Sequence, residues 1–204
     1  MPDDDARPRG SYAKGVARRQ EILDRAIEVF AQRGGSRTSL RAIAQEVGVT
    51  HAALTHYFGS LDELLVAVYR EAAARGDEAA ARGDETDERD ATPAESMRRA
   101  AAENREIPGM VELYSTLVAS ALGAAHPAAH AYVTERFSAL RTGLTAEVTE
   151  LQASGRIRDD VDPKLAAALI IAASDGLQTQ WLLDPSVDHE AALALLDRLL
   201  APPS

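Results

Sequence analysis

An all-α fold is predicted, about nine helices arranged as an N-terminal three-helix head with a helix-turn-helix and a larger C-terminal helical body, and three observations predict it. Alanine and leucine dominate, aromatic residues make up only 4% of the chain and β-branched runs are sparse, a composition that favours helices over strands. Apolar residues recur at helical spacing in one window after another. Between the windows stand start and stop signals in the form of Thr, Asp, Pro and Gly. The length of 204 residues leaves ample chain for a buried core, whether in one large domain or in a small domain joined to a larger one.

In VARRQEILDRAIEVFAQRG, Leu23, Ala26, Ile27 and Phe30 fall at i, i+3, i+4 and i+7, so a first helix of about five turns runs to the stop signal Gly34-Gly35. Thr38 or Ser39 caps a second helix with the stripe Leu40, Ile43, Ala44 and Val47, and Gly48 ends it by admitting a positive φ. Thr50 caps a third, short helix that turns Leu54, Tyr57 and Phe58 inward. A fourth begins near Ser60, has Asp62 and Glu63 in its first turn where the helix dipole favours acids, and carries Leu64, Leu65 and Val68 past Tyr69. Residues 72–85 read AAARGDEAAARGDE, a unit repeated once without change. The repeat is too short for a solenoid; it is expected to lengthen an exposed helix end or loop, with poor order to Asp90.

Thr92-Pro93-Ala94-Glu95 is a capping box that opens a fifth helix, ending near Glu106 before the breaker Ile107-Pro108-Gly109. A sixth runs from Met110 to about Ala124, and His126-Pro127 starts a seventh that ends near Gly155. Asp162-Pro163 caps an eighth, KLAAALIIAASDGLQTQWLLD, apolar nearly all round before Asp175, and Asp184-Pro185 stops it. Asp188 starts a ninth with Leu193, Leu196, Leu199 and Leu200 on a broad apolar face.

The formal charge of -10 is unevenly spread. From Arg7 to Ser60 nine basic residues face four acids, a net of +5, whereas Leu61 to Ser204 carries thirteen against twenty-five, a net of -12. A basic head can meet phosphate while an acidic body resists non-specific adhesion. The chain has no cysteine, which excludes disulfides, thiolate metal sites and a thiol nucleophile and points to a reducing compartment. The N-terminus lacks an apolar signal core, and no apolar run approaches the roughly 18 to 20 residues that span a bilayer, so a cytoplasmic protein away from membranes is expected.

Enzyme signatures are missing: there is no Gly-x-Ser-x-Gly elbow, phosphate loop, dinucleotide fingerprint or Glu-x-x-His pair. His126 and His130 are spaced for one helix face, but no third ligand is placed, so neither a metal nor another cofactor is expected.

The strongest constellation joins the second and third helices. Ala44 is small where they cross, Gly48 makes the turn, and Ile43, Val47, Val49, Leu54 and Tyr57 fill the shared core, which are the steric demands of a helix-turn-helix. That leaves Thr50, His51, Ala52, Thr55 and His56 exposed on the third helix. In a major groove, His51 and Thr55 offer hydrogen bonds to base edges, Ala52 a contact for a thymine methyl, and His56 either base or phosphate. Lys14, Arg18, Arg19, Ser39, Arg41 and Tyr57 are candidate phosphate contacts.

The stretch RRQEILDRAIEVFAQRGGSRTSLRAIAQEVGVTHAALTHYFGSLDELL resembles the N-terminal domain of the TetR family of bacterial transcriptional regulators, through Ile22, Leu23 and Phe30, the TSLRAIA of the second helix, the GVT turn and the HYF before the fourth. The likeness covers about residues 16–76, with the helix-turn-helix at about 39–58; residues 77–204 fit the family's variable ligand-binding and dimerisation domain by helix count and by SDGLQTQWLLDP. Two positions depart from the family's usual phosphate contacts: Thr55 stands where a tyrosine is common and Leu61 where a lysine is.

The resemblance implies a ligand-responsive repressor, with an unknown small molecule bound between the fifth and eighth helices. Met97, Met110, Tyr114, Phe137, Gln178 and Trp181 are candidate contacts, because large adaptable side chains with a few polar groups line ligand cavities. A single head reads too few bases, so a homodimer through the last two helices and a palindromic double-stranded operator are expected. A helix-turn-helix protein that has lost DNA binding and acts through protein partners remains open, as does, more remotely, a helical-bundle enzyme.

Overall fold

The computed structural model describes residues 9–33, 40–80, 91–106 and 109–202. Among them all regular structure is helical: α1 (Arg9–Arg33), α2 (Leu40–Val47), α3 (His51–Phe58), α4 (Leu61–Ala80), α5 (Pro93–Glu106), α6 (Met110–Ala121), α7 (Pro127–Ala153), α8 (Pro163–Leu183) and α9 (His189–Leu200). The expected caps of α2 at Thr38 or Ser39, and the polar run from residue 81 to Asp90, lie outside the described residues.

Two boundaries differ from the sequence expectation. α1 starts at Arg9, well ahead of the apolar stripe, because that stripe marks only the part that packs, from Ile22 onward; Lys14 and Val16 on the extension are exposed and carry no periodicity to read. α6 stops at Ala121, where the Leu122 and Gly123 amides turn back to the carbonyls of Ala119 and Ser120 and close the helix early. The repeat continues α4 as helix through Gly76 to Ala80.

Local chemistry sets the other ends. Gly48, at φ 74°, closes α2 with a double reverse bond: its own amide donates to Gln45 O at 3.3 Å and the Val49 amide to Ala44 O at 2.9 Å. Arg25 on α1 adds a third partner, its Nη1 donating to Val47 O at 3.1 Å. Thr50 Oγ1 accepts the Ala53 amide at 3.1 Å and fixes where α3 begins. The capping box of α5 forms in both directions, Thr92 Oγ1 accepting the Glu95 amide and the Glu95 carboxylate accepting the Thr92 amide. Asp162 and Asp188 cap α8 and α9 in one direction, their carboxylates accepting the Lys164 and Ala191 amides.

Two apolar cores result. The first joins α1 to α4 with α6 and α7, around Ile22, Ile43, Leu54, Leu64 and Leu117, none more than 1% exposed. The second lies between α7 and α8, around Val148, Ala167 and Ile170, with Leu196 and Leu200 of α9 packed on it. Phe137 of α7 packs against both cores.

One polar side chain ties the two halves. Asp62, 5% exposed, accepts from Ser60 Oγ at 2.6 Å and, through its other oxygen, from the Ala128 amide at the start of α7 at 3.1 Å. Burial pushes its pKa up, but these hydrogen bonds outweigh that and hold the carboxyl below its ordinary 3.8. A lowered folded pKa contributes stability that is complete above the unfolded value and is lost as pH falls through the folded one. Asp62→Asn keeps the shape but sets an N–H against one of the two donors. It is expected to cost about 1 to 3 kcal/mol at neutral pH, with the loss beginning to shrink below about pH 4, where the unfolded aspartate takes up its proton, and fading as pH falls on through the lower folded value. Urea titrations of both proteins at pH 7 and at pH 3.5 check this; an unchanged difference between the two pH values would count against the joint.

Candidate DNA interface and ligand cavity

The solvent face of α3 presents Thr50, His51, Ala52 and His56, all exposed, with Thr55 half-buried beside them; Leu54 and Phe58 on the opposite face are buried. The helix is held from behind, so its outer face is rigid. Thr55 Oγ1 donates to His51 O at 3.0 Å, which occupies its proton and leaves its lone pairs free to accept from a base amine. The His56 ring stands edge-on to Tyr57 with centroids 5.3 Å apart. Tyr57 is half-buried and packs on the head core, so its ring is a support of α3 as much as a surface group.

The candidate phosphate contacts are spread around this face. Lys14 and Arg18 are exposed on α1, and Arg41 is exposed at the start of α2; Ser39 lies outside the described residues. Arg18 pairs with Glu21 at 2.6 Å, but both side chains are about half exposed, and such a surface pair yields easily to a phosphate. Arg19 is placed differently, its guanidinium 4.8 Å from the centre of the Phe58 ring, where it clamps α1 to α3. Arg25 is likewise engaged with the carbonyl end of α2. Nothing in the residue pattern separates these two from Arg18 of the same helix.

In the body, α4, α5, α6, α7 and α8 enclose a cavity of about 120 Å³. Met97, Met110, Tyr114 and Gln178 line it, four of the six candidate ligand contacts. Phe137 sits between the two apolar cores, and Trp181 lies beneath the guanidinium of Arg105 at 5.7 Å; neither is among the lining residues. The lining also includes Tyr69, Arg136, Ser174 and Asp175, none of them singled out by sequence. The signal was present for Arg136: it falls with Val133, Leu140 and Leu144 at i, i+3, i+7 and i+11 on the inward stripe of α7, a charge where an apolar residue is due.

The polar groups of the cavity are coupled. Tyr114 Oη donates to Asp175 Oδ2 at 3.3 Å, and the Arg136 guanidinium lies 5.4 Å from the Tyr114 ring centre and 5.5 Å from that of Tyr69. Burial pushes the Asp175 carboxyl above its ordinary 3.8, opposed by the Tyr114 hydroxyl and by Arg136. Burial, then the Asp175 charge, raises Tyr114, which stays a protonated donor. Desolvation works against the charge on Arg136, but the tyrosines around it more than offset this and it remains a cation.

Elsewhere, His126 and His130 do not converge on a third ligand, and among the described residues no group of three or more His, Asp or Glu could hold a metal ion. Among those residues no helix is long and apolar enough to cross a membrane. The outer faces of α8 and α9 carry exposed leucines, Leu165, Leu169, Leu183, Leu195 and Leu199, and between them Ala172, Ala173, Gly176 and Leu177 floor a shallow apolar groove.

Two family models match the chain. The model for bacterial regulatory proteins of the tetR family matches residues 22–68, and that for the C-terminal part of BetI-type transcriptional repressors matches residues 93–202. The HTH-type transcriptional regulator BetI of Brucella anthropi is 43% identical over 53 residues, 26% of this chain, and the chain spans 27% of the length of that curated relative. Among solved structures, a TetR-family transcriptional regulator from Rhodococcus sp. superposes with a TM-score of 0.71 at 22% identity, covering 90% of this chain and 98% of that one. The multidrug binding protein EbrR, solved with imidazole, has a TM-score of 0.61 at 28% identity, with 100% and 99% covered.

Proposed function

The chain belongs to the TetR family of bacterial transcriptional regulators, and from that membership we propose that it is a cytoplasmic, ligand-responsive repressor that binds a palindromic operator as a homodimer. The observation that carries the reading is the glycine-closed turn between α2 and α3, which sets a rigid helix in place with His51, Ala52, Thr55 and His56 outward. The DNA-binding head is residues 16–76 and the effector and dimerisation domain residues 77–204, with α4 crossing the division unbroken.

His51 and His56 supply ring-nitrogen donors or acceptors to base edges, Ala52 fits a thymine methyl, and Thr55 accepts from an exocyclic amine. Lys14, Arg18 and Arg41, with the amide end of α2 beside Ser39, serve the phosphates in place of the tyrosine and lysine that Thr55 and Leu61 replace. Dimerisation uses the leucine stripe of α8 and α9, which holds the two heads roughly 34 Å apart or a multiple of that, one turn of the duplex.

The effector occupies the cavity of α4 to α8. α4 connects it to the head physically, since it contributes Tyr69 to the cavity and Leu64 and Leu65 to the head core. A ligand that favours one setting of α4 therefore biases the spacing of the heads, a coupling typically of about 1 to 3 kcal/mol.

Fluorescence anisotropy with DNA from the chain's own upstream intergenic region, against random duplex competitor, tests the whole reading. About six phosphate contacts per dimer are expected to give a log-log salt slope near -5, and His51→Ala to relax sequence preference with little change in that slope. Binding that ignores sequence across a genome-fragment selection would instead favour a regulator that works through protein partners.

A further inference from the structure

The cavity holds a cation with a hydrogen-bonding atom unpartnered. Arg136 Nε is buried without a hydrogen-bond partner, and among the described residues no carboxylate forms an ion pair with the guanidinium. The tyrosines around it, Tyr69 and Tyr114 among them, keep the guanidinium charged, but none of them gives Nε an acceptor. Asp175 lines the same cavity, but its Oδ2 is engaged by the Tyr114 hydroxyl and no hydrogen bond joins it to the guanidinium.

A second unpartnered group lies on the facing helix. Ser174, 1% exposed, lines the same cavity, and its hydroxyl has no partner; Gln178, one turn along α8, is 9% exposed and also lines it. Buried polar groups in folded proteins are satisfied almost without exception, and a partner shared by α7 and α8 at this place would satisfy both helices at once. The volume of about 120 Å³ equals about four waters at roughly 30 Å³ each, room for a small organic molecule and no more.

Resting on the reading of this cavity as the effector site, we infer that its ligand is a small monoanion of the short-chain carboxylate class, with its charge against Arg136 and its remaining polar atoms toward Ser174 and Gln178. A cationic ligand fits the same walls poorly, because the tyrosine faces that would hold it are already taken by Arg136 and the newcomer would meet a like charge. Access is available from outside: Arg136 and Leu140 belong both to this cavity and to a larger groove along α7, so the guanidinium stands in the wall between the two.

The probe is sodium n-butyrate, with isosteric butyramide and tetramethylammonium as neutral and cationic controls, titrated into the full chain at constant ionic strength by calorimetry and thermal shift. Butyrate is expected to bind saturably and raise the melting temperature while both controls do not. Ser174→Ala is expected to weaken it about tenfold and Arg136→Gln by about tenfold to a hundredfold. Should Arg136→Gln fail to fold, Ser174→Ala, which deletes only an unpartnered hydroxyl, carries the test. No binding of butyrate, binding that both variants leave intact, or binding of tetramethylammonium in its place overturns the inference. Operator anisotropy with each probe separates it from the reading beneath: butyrate that binds without altering DNA affinity leaves the anion site standing and removes its role as effector site, whereas release by tetramethylammonium keeps the effector cavity and overturns the charge.

Discussion

Leu54→Ala is expected to lower the melting temperature by about 6 to 12 °C, the equivalent of about 3 kcal/mol for a chain of this length. Leu54 is 0% exposed and is the point where α3 meets the core formed by Ile22, Ile43 and Val47. Removing its branched end leaves a hole that α1 and α2 cannot fill, since α2 is pinned at its carbonyl end by Arg25 and α3 at its amide end by Thr50. The same core continues through Leu64 of α4 to Leu117 of α6, so the loss reaches the body and the transition is expected to move as one. Thermal denaturation followed by circular dichroism checks this, with exposed His56→Ala as a control expected to fall within about 0.5 kcal/mol of the parent. A shift for Leu54→Ala no larger than that of the control would mean that α3 is not seated on this core.

The parts of this fold that were legible in the sequence are those held by local chemistry. A Thr or Asp that accepts an amide two or three residues on, as Thr50, Thr92, Asp162 and Asp188 do, leaves its mark in a short window and fixes a helix start wherever the chain goes next. Gly48 is legible for the same reason, as the one residue type that takes φ 74° without strain. The N-terminal extension of α1 was hidden because an exposed stretch of helix needs no apolar stripe. Tertiary pairings were hidden more deeply. Asp62 reads as an ordinary acid in the first turn of a helix, and only the fold brings the Ala128 amide, far along the chain, to within 3.1 Å of it. The cavity divided along the same line: large lining residues such as Met97, Met110 and Tyr114 stand out by type, whereas Arg136, Ser174 and Asp175 look like surface residues until the stripe that buries them is counted. Trp181 shows the converse, a large aromatic whose place is under Arg105 and not on the cavity wall.

The double substitution Leu169→Glu and Leu199→Glu is expected to convert a dimer into a monomer in sedimentation at micromolar concentration and to weaken operator binding by about a thousandfold or more. Both side chains are well exposed on the single chain, 63% and 59%, so the core beneath them is untouched and the monomer fold should persist. Leu165, Leu169, Ala172, Gly176 and Leu183 follow one face of α8 at i, i+4, i+7, i+11 and i+18, an apolar stripe with small residues at its centre where a second helix can approach closely. A two-fold interface uses the same patch twice, so each introduced glutamate occurs twice in it, and like charges brought together there cost several kcal/mol. The effect on DNA follows from geometry. A monomer reaches one half-site, and losing the second half removes the fixed separation that distinguishes the operator from random sequence, so its affinity falls toward the non-specific level. A variant that remains dimeric would place the interface on another face, and a monomer that holds the operator as tightly as the parent would show that one α3 suffices for recognition.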